Sequence, residues 1–337
     1  MIYIIISILN FFISLILTNI FIKTFYKYRI LDIPDDKLKT HKKPVPTIGG
    51  LSFIITFLVT IIYLFINLKL KDERTTNYFN ALLYSGIYIT IIGIIDDIKH
   101  LKAITKLILE LVIIFVIIIK IDIRMRLVMF PYWLNIVLSI FWLIGVINSI
   151  NIIDIMDGLA AGVSVIIAIT FSLLGILSDN YFLSITAIFL ALSLLGFLTY
   201  NYRDAKIYMG NTGSLFLGVV FGIMSLEMSY TKVNDLGFFI PLLILGIPLY
   251  DTIYVIILRF SQGKSILLGS PDHLGLRMLK SGMDKNTIVN LFYLLETGFG
   301  LLALCIVQVN RFTALGIYLF LIIVSFYIGY ILNKVKM

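Results

Sequence analysis

Apolar residues in this chain neither alternate nor keep to one helical stripe. They run on for some twenty positions at a time and are broken by short polar stretches. About 20 mostly apolar residues is the length a helix needs to cross the hydrocarbon of a bilayer. Eleven such runs can be read, at roughly 2–22, 48–68, 78–95, 104–120, 133–150, 160–177, 181–199, 213–230, 237–257, 287–306 and 313–332. The first lacks a basic leader and a small-residue cleavage site, and Lys23, Lys27 and Arg29 follow it, so it reads as a span and not a signal peptide. Runs six and seven are separated only by the turn-like triplet Ser178-Asp179-Asn180. The expected fold class is therefore all-α: a polytopic integral membrane protein of about 11 transmembrane helices. Short linkers and the lack of a soluble insertion make residues 1–337 a single membrane-embedded domain. No internal repeat stands out, which argues against an inverted-repeat transporter.

Composition agrees. Hydrophobic residues make up 60% and charged ones 14%, against about 45–50% and about 25% in soluble domains, and mean hydropathy is +1.04. A soluble interior could not hide that much apolar surface, so a cytosolic or secreted globular enzyme and a disordered chain are excluded. The single cysteine, Cys305, excludes an internal disulfide. The net charge of +8 raises the question of a nucleic-acid partner. With eleven spans, however, 19 of the 27 Lys and Arg fall on one side, spread over short loops with no basic domain. That side is the cytoplasmic one by the positive-inside bias, which places the N-terminus outside and the C-terminus inside. No nucleic acid is expected.

The polar residues are concentrated too. Eleven of the 19 acidic residues lie on the cytoplasmic side, while Glu110, Glu227 and Glu296 fall within spans. Intramembrane carboxylates are functional suspects and would suit a transporter or channel; the one-sided remainder fits a reaction floor at the cytoplasmic leaflet better. Asp96 and Asp97 close the third span side by side. Adjacent carboxylates repel, and a proton or a cation usually relieves them; the other reading is a solvated helix end paired with Lys99 and Lys102. Asn148, Asn151, Asp154 and Asp157 recur every third residue, so neighbours share a helix face that slowly drifts. Oxygen donors without Cys or His suit Mg²⁺, or, for one or two of them, interhelical hydrogen bonding. Gly210-Asn211-Thr212-Gly213-Ser214 opens the eighth span and can either present N–H groups to a phosphate or cap the helix. The first loop combines His41, Lys42 and Lys43 with stiffening prolines and the pair Gly49-Gly50, which permits close helix approach. The longest cytoplasmic loop adds His273 and Arg277; His100 reads as a solvated loop residue.

Taken in order, these runs resemble the polyprenyl-phosphate N-acetylhexosamine-1-phosphate transferases, glycosyltransferase family 4. Leu31-Asp32-x-Pro34 through His41 to Gly49-Gly50 is followed by Gly93-x-x-Asp96-Asp97 and by Asn148-x-x-Asn151-x-x-Asp154-x-x-Asp157-Gly158-Leu159-Ala160-Ala161-Gly162. Then come Tyr200-Asn201 with Ala205-Lys206, Met209-Gly210-Asn211-Thr212-Gly213-Ser214, Pro248-x-x-Asp251, Arg259 and the His273 loop. The likeness covers about 30–335 and leans toward the undecaprenyl-phosphate N-acetylglucosaminyl-1-phosphate branch. It implies an enzyme of the cytoplasmic membrane, with undecaprenyl phosphate and a UDP-sugar as substrates, the membrane as partner and a homodimer as assembly. It implies Mg²⁺, with Mn²⁺ as an alternative, held by Asn151 and Asn211 with Asp154 close by. It implies that Asp96, supported by Asp97, orients or deprotonates the lipid phosphate. His41, Lys42, Lys43, Asn148, Asp157, Asn201, His273 and Arg277 are implied to bind substrate, Lys42, Lys43 and Arg277 by gripping phosphate. The chain departs from the pattern at Asn211 (usually Asp), Ile155 (usually Gly), Leu38 (usually Arg) and at His273-Leu274-Gly275-Leu276, where the family has His-x-His-His. Those departures suggest the alternative of a degenerate member that only binds or assembles.

Overall fold

A computed structural model describes residues 2–32, 44–68, 72–127, 129–227, 235–265 and 270–335. Among these the chain is a bundle of thirteen α-helices: α1 Ile2–Tyr28, α2 Leu51–Asn67, α3 Glu73–Lys99, α4 Ala103–Phe115, α5 Tyr132–Ile152, α6 Leu159–Leu177, α7 Tyr181–Asn201, α8 Gly210–Glu227, α9 Ile240–Ile244, α10 Gly246–Ser261, α11 Leu274–Lys280, α12 Lys285–Ile306 and α13 Arg311–Asn333. One two-residue strand pair, β1 Leu31–Asp32 with β2 Val45–Pro46, is antiparallel, Leu31 facing Pro46 and Asp32 facing Val45.

Seven helices (α1, α3, α5, α6, α7, α12 and α13) are each long and apolar enough to cross a membrane, and one bent pair makes an eighth candidate. Every expected run has a helical counterpart, but three counterparts do not reach that standard alone. These are the 17-residue α2, the 18-residue α8, and α4, which continues as a π turn over Val116–Lys120.

The ninth run is the real surprise. It is no straight span: a 3₁₀ turn (Asp235–Phe239) and α9 meet α10 at 85°. Pro248 explains the break, since its ring would strike the carbonyl four residues earlier, at Ile244, if one helix ran through. The freed Ile247 N–H donates to the buried Glu296 of α12 at 3.0 Å. Periodic hydrophobicity does not register a break whose residues are themselves apolar.

Polar side chains mark the helix ends. Asp72 caps α3 through the Arg74 and Thr75 N–H groups, Asn180 caps α7, Asp284 caps α12 and Asn310 caps α13. Inside the bundle, small residues let helices approach. The buried side of α1 is Ser7, Asn10, Ser14, Thr18 and Phe25, while most of its isoleucines are exposed; Thr18 donates to Ser52 and Thr60 donates to Asn10. α6 packs on α7, and α8 is held between α3 and α5.

At one end of that bundle two helix pairs pack backbone against backbone. A Cβ on Gly93 would stand 2.4 Å from Thr212 Cα, and one on Gly50 would stand 2.5 Å from Gly213 Cα. Gly49 and Gly50 also donate to the carbonyls of Tyr208 and Met209, so the N-termini of α2 and α8 sit backbone to backbone. Because backbone cannot swing aside, Gly93→Ala should cost about 1–3 kcal/mol or more, read as a lower melting temperature in detergent.

Candidate active site

α3, α4, α5 and α8 bring their polar residues together at this tightly packed end. The centre is Lys106, in the first turn of α4. Its ammonium lies 2.8 Å from Asn151 Oδ1, 3.2 Å from Asn211 Oδ1 and 3.2 Å from Asp96 Oδ2. Asn151 turns its amide nitrogen to Asn211 Oδ1 and to Ser214 Oγ, each at 2.8 Å. Asp96 is buried, and its other oxygen accepts from the Leu101 N–H at 2.8 Å, which closes the α3–α4 turn. Three side-chain oxygens thus converge on one cationic nitrogen. Among the described residues no group of three Asp, Glu, His or Cys could hold a metal. The oxygen cage of one carboxylate and two amides nonetheless has the donor chemistry of a hard divalent cation.

The neighbouring carboxylates separate instead of sharing a proton. Asp97 points away from Asp96 to the start of α8 and accepts from the Asn211 N–H, the Asn211 side-chain amide, the Thr212 N–H and the Thr212 hydroxyl, at 2.6–3.1 Å. It is a helix cap, with the macrodipole adding to the hydrogen bonds. Gly210, at φ +71°, makes room for it: a Cβ there would be 2.5 Å from Asp97 Oδ2. Asp97 thus fixes the start of α8, and with it the place of Asn211 beside Asp96.

α5 ends at Ile152, so Asn148 and Asn151 stay helical while Asp154 and Asp157 enter the following turn. Asn148 donates to Glu110 Oε2 at 2.8 Å. Asp157 accepts from the Ala205 N–H. Asp154 makes no hydrogen bond among the described residues. Burial, then the charges of Asp97 and Asp157, push it up to about 7. The same turn is pinned on both sides of Gly158, at φ +74°: Asn201 Oδ1 accepts from its N–H and the Tyr293 hydroxyl donates to its carbonyl. Since the Asn201 amide also donates to Ile207 O, its side chain is spent on backbone. This makes Asn201 a buried strut of the Gly158 turn. Burial and the carboxylates of Asp157, Asp32 and Asp154 push the Tyr208 phenol up, so it stays protonated.

The His273 loop packs beside this turn. A Cβ on Gly275 would touch Ile155 and Met156 at 3.3–3.4 Å. His273 Nδ1 lies 2.8 Å from Asp251 Oδ2, and Asp251 Oδ1 accepts from the Leu274 N–H, so Asp251 orients His273 and starts α11 together. Arg277 is 2% exposed. It donates to the Asp272 carboxylate at 2.7 Å and to the carbonyls of Asp272, Leu332 and Val335. Despite burial, the Ser270 hydroxyl and Arg277 hold Asp272 below the usual carboxylate range. Arg277 therefore ties α11 to the end of α13. Arg277→Ala should cost about 3–5 kcal/mol by orphaning Asp272, seen as a lower melting temperature, while the folded fraction keeps its donor KM. His41, Lys42 and Lys43 lie outside the described residues.

The sequence reading missed Lys106 and Glu110 as site residues. Their signal was there, since both are charged and stand i, i+4 on an otherwise apolar run, hence on one face. The three intramembrane glutamates do not line a path. Glu227 pairs with Arg74 at 2.9 Å at the other end of α8, about 25 Å from Gly210 at 1.5 Å per residue. Glu296 serves the α9–α10 break, and Glu110 lies beneath Lys106 and Asn148.

Comparison with known proteins agrees with this arrangement. Residues 79–229, which span Asp96 to Asn211 and Ser214, match the family described as Glycosyl transferase family 4. A Bacillus subtilis protein named probable undecaprenyl-phosphate N-acetylglucosaminyl 1-phosphate transferase is 31% identical over 317 residues, 92% of this chain and 86% of its own length. The phospho-N-acetylmuramoyl-pentapeptide-transferase of Staphylococcus carnosus is 28% identical over 91% of this chain and 99% of its own. The undecaprenyl-phosphate alpha-N-acetylglucosaminyl 1-phosphate transferase of Thermotoga maritima is 29% identical over 79% of this chain and 76% of its own. With identity above the level that marks common descent and nearly the whole chain aligned, this polytopic helical protein belongs to glycosyl transferase family 4.

Proposed function

We propose that the chain transfers N-acetylglucosamine 1-phosphate from UDP-N-acetylglucosamine to undecaprenyl phosphate, releasing UMP, with its site facing the cytoplasm. The observation that carries this reading is the cage of Asp96, Asn151 and Asn211 oxygens around Lys106, set at the bundle end where the basic loops gather. The names of the Bacillus and Thermotoga relatives support the sugar and the carrier. A lipid nucleophile requires a membrane enzyme, and a nucleotide sugar requires a site open to the cytoplasm.

The lipid phosphate oxygen attacks the β-phosphorus of the donor. The new P–O bond forms as the bond from that phosphorus to the UMP oxygen breaks. Both reactants are anions, so positioning and charge neutralisation carry most of the catalysis. Asn151, Asn211 and Asp96 would hold Mg²⁺ or Mn²⁺, which supplies neutralisation of the diphosphate and the leaving UMP. Lys106 keeps a positive charge beside the same phosphates. Asp154 is the uncommitted carboxylate, and its raised pKa near 7 suits it to take the proton from a lipid phosphate monoanion, whose own second pKa is about 6. Asp97 and Gly210 fix the start of α8 and so the placement of Asn211. His273, oriented by Asp251, opens the helix that packs on the turn bearing Asp154. The sugar assignment is tested by incubating purified protein with undecaprenyl phosphate and either UDP-N-acetylglucosamine or a UDP-N-acetylmuramoyl-pentapeptide, and weighing the lipid product. A mass gain of one N-acetylglucosamine phosphate with the first donor only is expected; product from the second donor alone would overturn the assignment.

A further inference from the structure

The Lys106 ammonium has three N–H donors and spends them on Asp96, Asn151 and Asn211. A divalent cation taking those oxygens cannot share them with the ammonium, since two positive charges would then stand within a few ångströms of each other. Lys106 must move, and in an apolar helix its head needs another acceptor. One stands ready. Glu110 is a single helical turn further along α4, on the same face, and fully buried. Its Oε2 accepts from Asn148, while its Oε1 is buried with no partner among the described residues. An unpaired buried carboxyl oxygen is costly, and here it belongs to the residue one helical turn from Lys106 on the same face.

We propose that Glu110 Oε1 is the acceptor that receives the Lys106 ammonium when a divalent cation occupies the Asp96–Asn151–Asn211 oxygens. Lys106 alternates between the two positions, so the site keeps a cation in both states and neither the cage nor Glu110 faces a second positive charge. Glu110 is a positioning residue that acts through Lys106. Through Asn148, three residues before Asn151 on α5, it also steadies the helix end that bears one cage oxygen. The inference rests on the divalent-cation reading of the proposed function.

The test is a double-mutant cycle on Mn²⁺ binding, read as free Mn²⁺ by electron paramagnetic resonance with purified protein and no substrate. Glu110→Gln, which replaces the free oxygen with an amide nitrogen, should weaken Mn²⁺ binding several-fold in the wild-type background. In a Lys106→Met background, with no ammonium to relocate, the same change should alter binding less than twofold. Equal weakening in both backgrounds, or none in either, overturns the proposal. Wild-type protein that binds no Mn²⁺ overturns the cation reading as well. Glu110→Asp keeps the charge but withdraws the oxygen by one methylene, and gives the same ordering should Glu110→Gln not fold.

Discussion

Asp154→Asn is expected to lower kcat by about 10²–10⁴-fold, the range for losing a proton-transfer group, while raising thermal stability at alkaline pH. The two effects have one cause. Burial and the charges of Asp97 and Asp157 push this carboxyl up to about 7, against about 3.9 in an unfolded chain. Between those values the folded protein holds a proton that the unfolded chain has lost. Its stabilising effect is complete below the unfolded value and disappears as pH rises through about 7. Above that pH the wild type carries an unfavourable charge that asparagine lacks. Melting temperatures measured in detergent without divalent cations should favour Asp154→Asn at pH 8, and the gap should close toward pH 4. A gap that widens on acidification would place the charge of Asp154 among the stabilising ones.

Lys106→Met is expected to reduce kcat by about 10²–10³-fold, the loss typical of one preorganised charge or donor aimed at a developing anion. The side chain keeps its length and apolar stem, but Asp96 loses its buried partner, so the melting temperature should fall as well and kcat is read on the folded fraction. Lys102 is a control on the same helix end, since it is exposed at the start of α4. Lys102→Met should leave kcat within about twofold, the behaviour of a solvated surface charge. Steady-state UMP release from the two variants, compared at saturating donor, separates a site cation from general loop positivity. Similar losses in both would mean that overall charge at this membrane face, and not the Lys106 position, is what matters.

How far the sequence reaches depends on what a one-dimensional pattern can encode. Membrane helices write themselves in run length: the runs are helical, and seven helices, or eight with the bent pair, are long and apolar enough to cross a membrane. Side-chain chemistry is legible where spacing encodes it: Asn151 and Asn211 meet as their motifs suggest, and Gly49-Gly50 packs backbone to backbone as a glycine pair allows. What spacing cannot encode is the direction in which a side chain is spent. Asp96 and Asp97 are neighbours in the chain, yet one holds the α3–α4 turn and the other caps α8. Arg277 and Asn201 stand in motifs that suggest ligands, yet partners 55 and 6 residues away take hydrogen bonds from them. Lys106 escaped notice for the opposite reason: it has no motif of its own and gains meaning only when α3, α5 and α8 close around it. The bend before α10 needs Pro248 and Glu296 together, from two helices, and hydropathy sees neither.

The direct measurement of the central claim is UMP release from purified protein in detergent with undecaprenyl phosphate and UDP-N-acetylglucosamine, in Mg²⁺ and then in EDTA. The cage of Asp96, Asn151 and Asn211 predicts turnover that requires the lipid and the cation together, and that EDTA abolishes and added Mg²⁺ restores. UMP release that persists in excess EDTA, or that proceeds without the lipid phosphate, would contradict it.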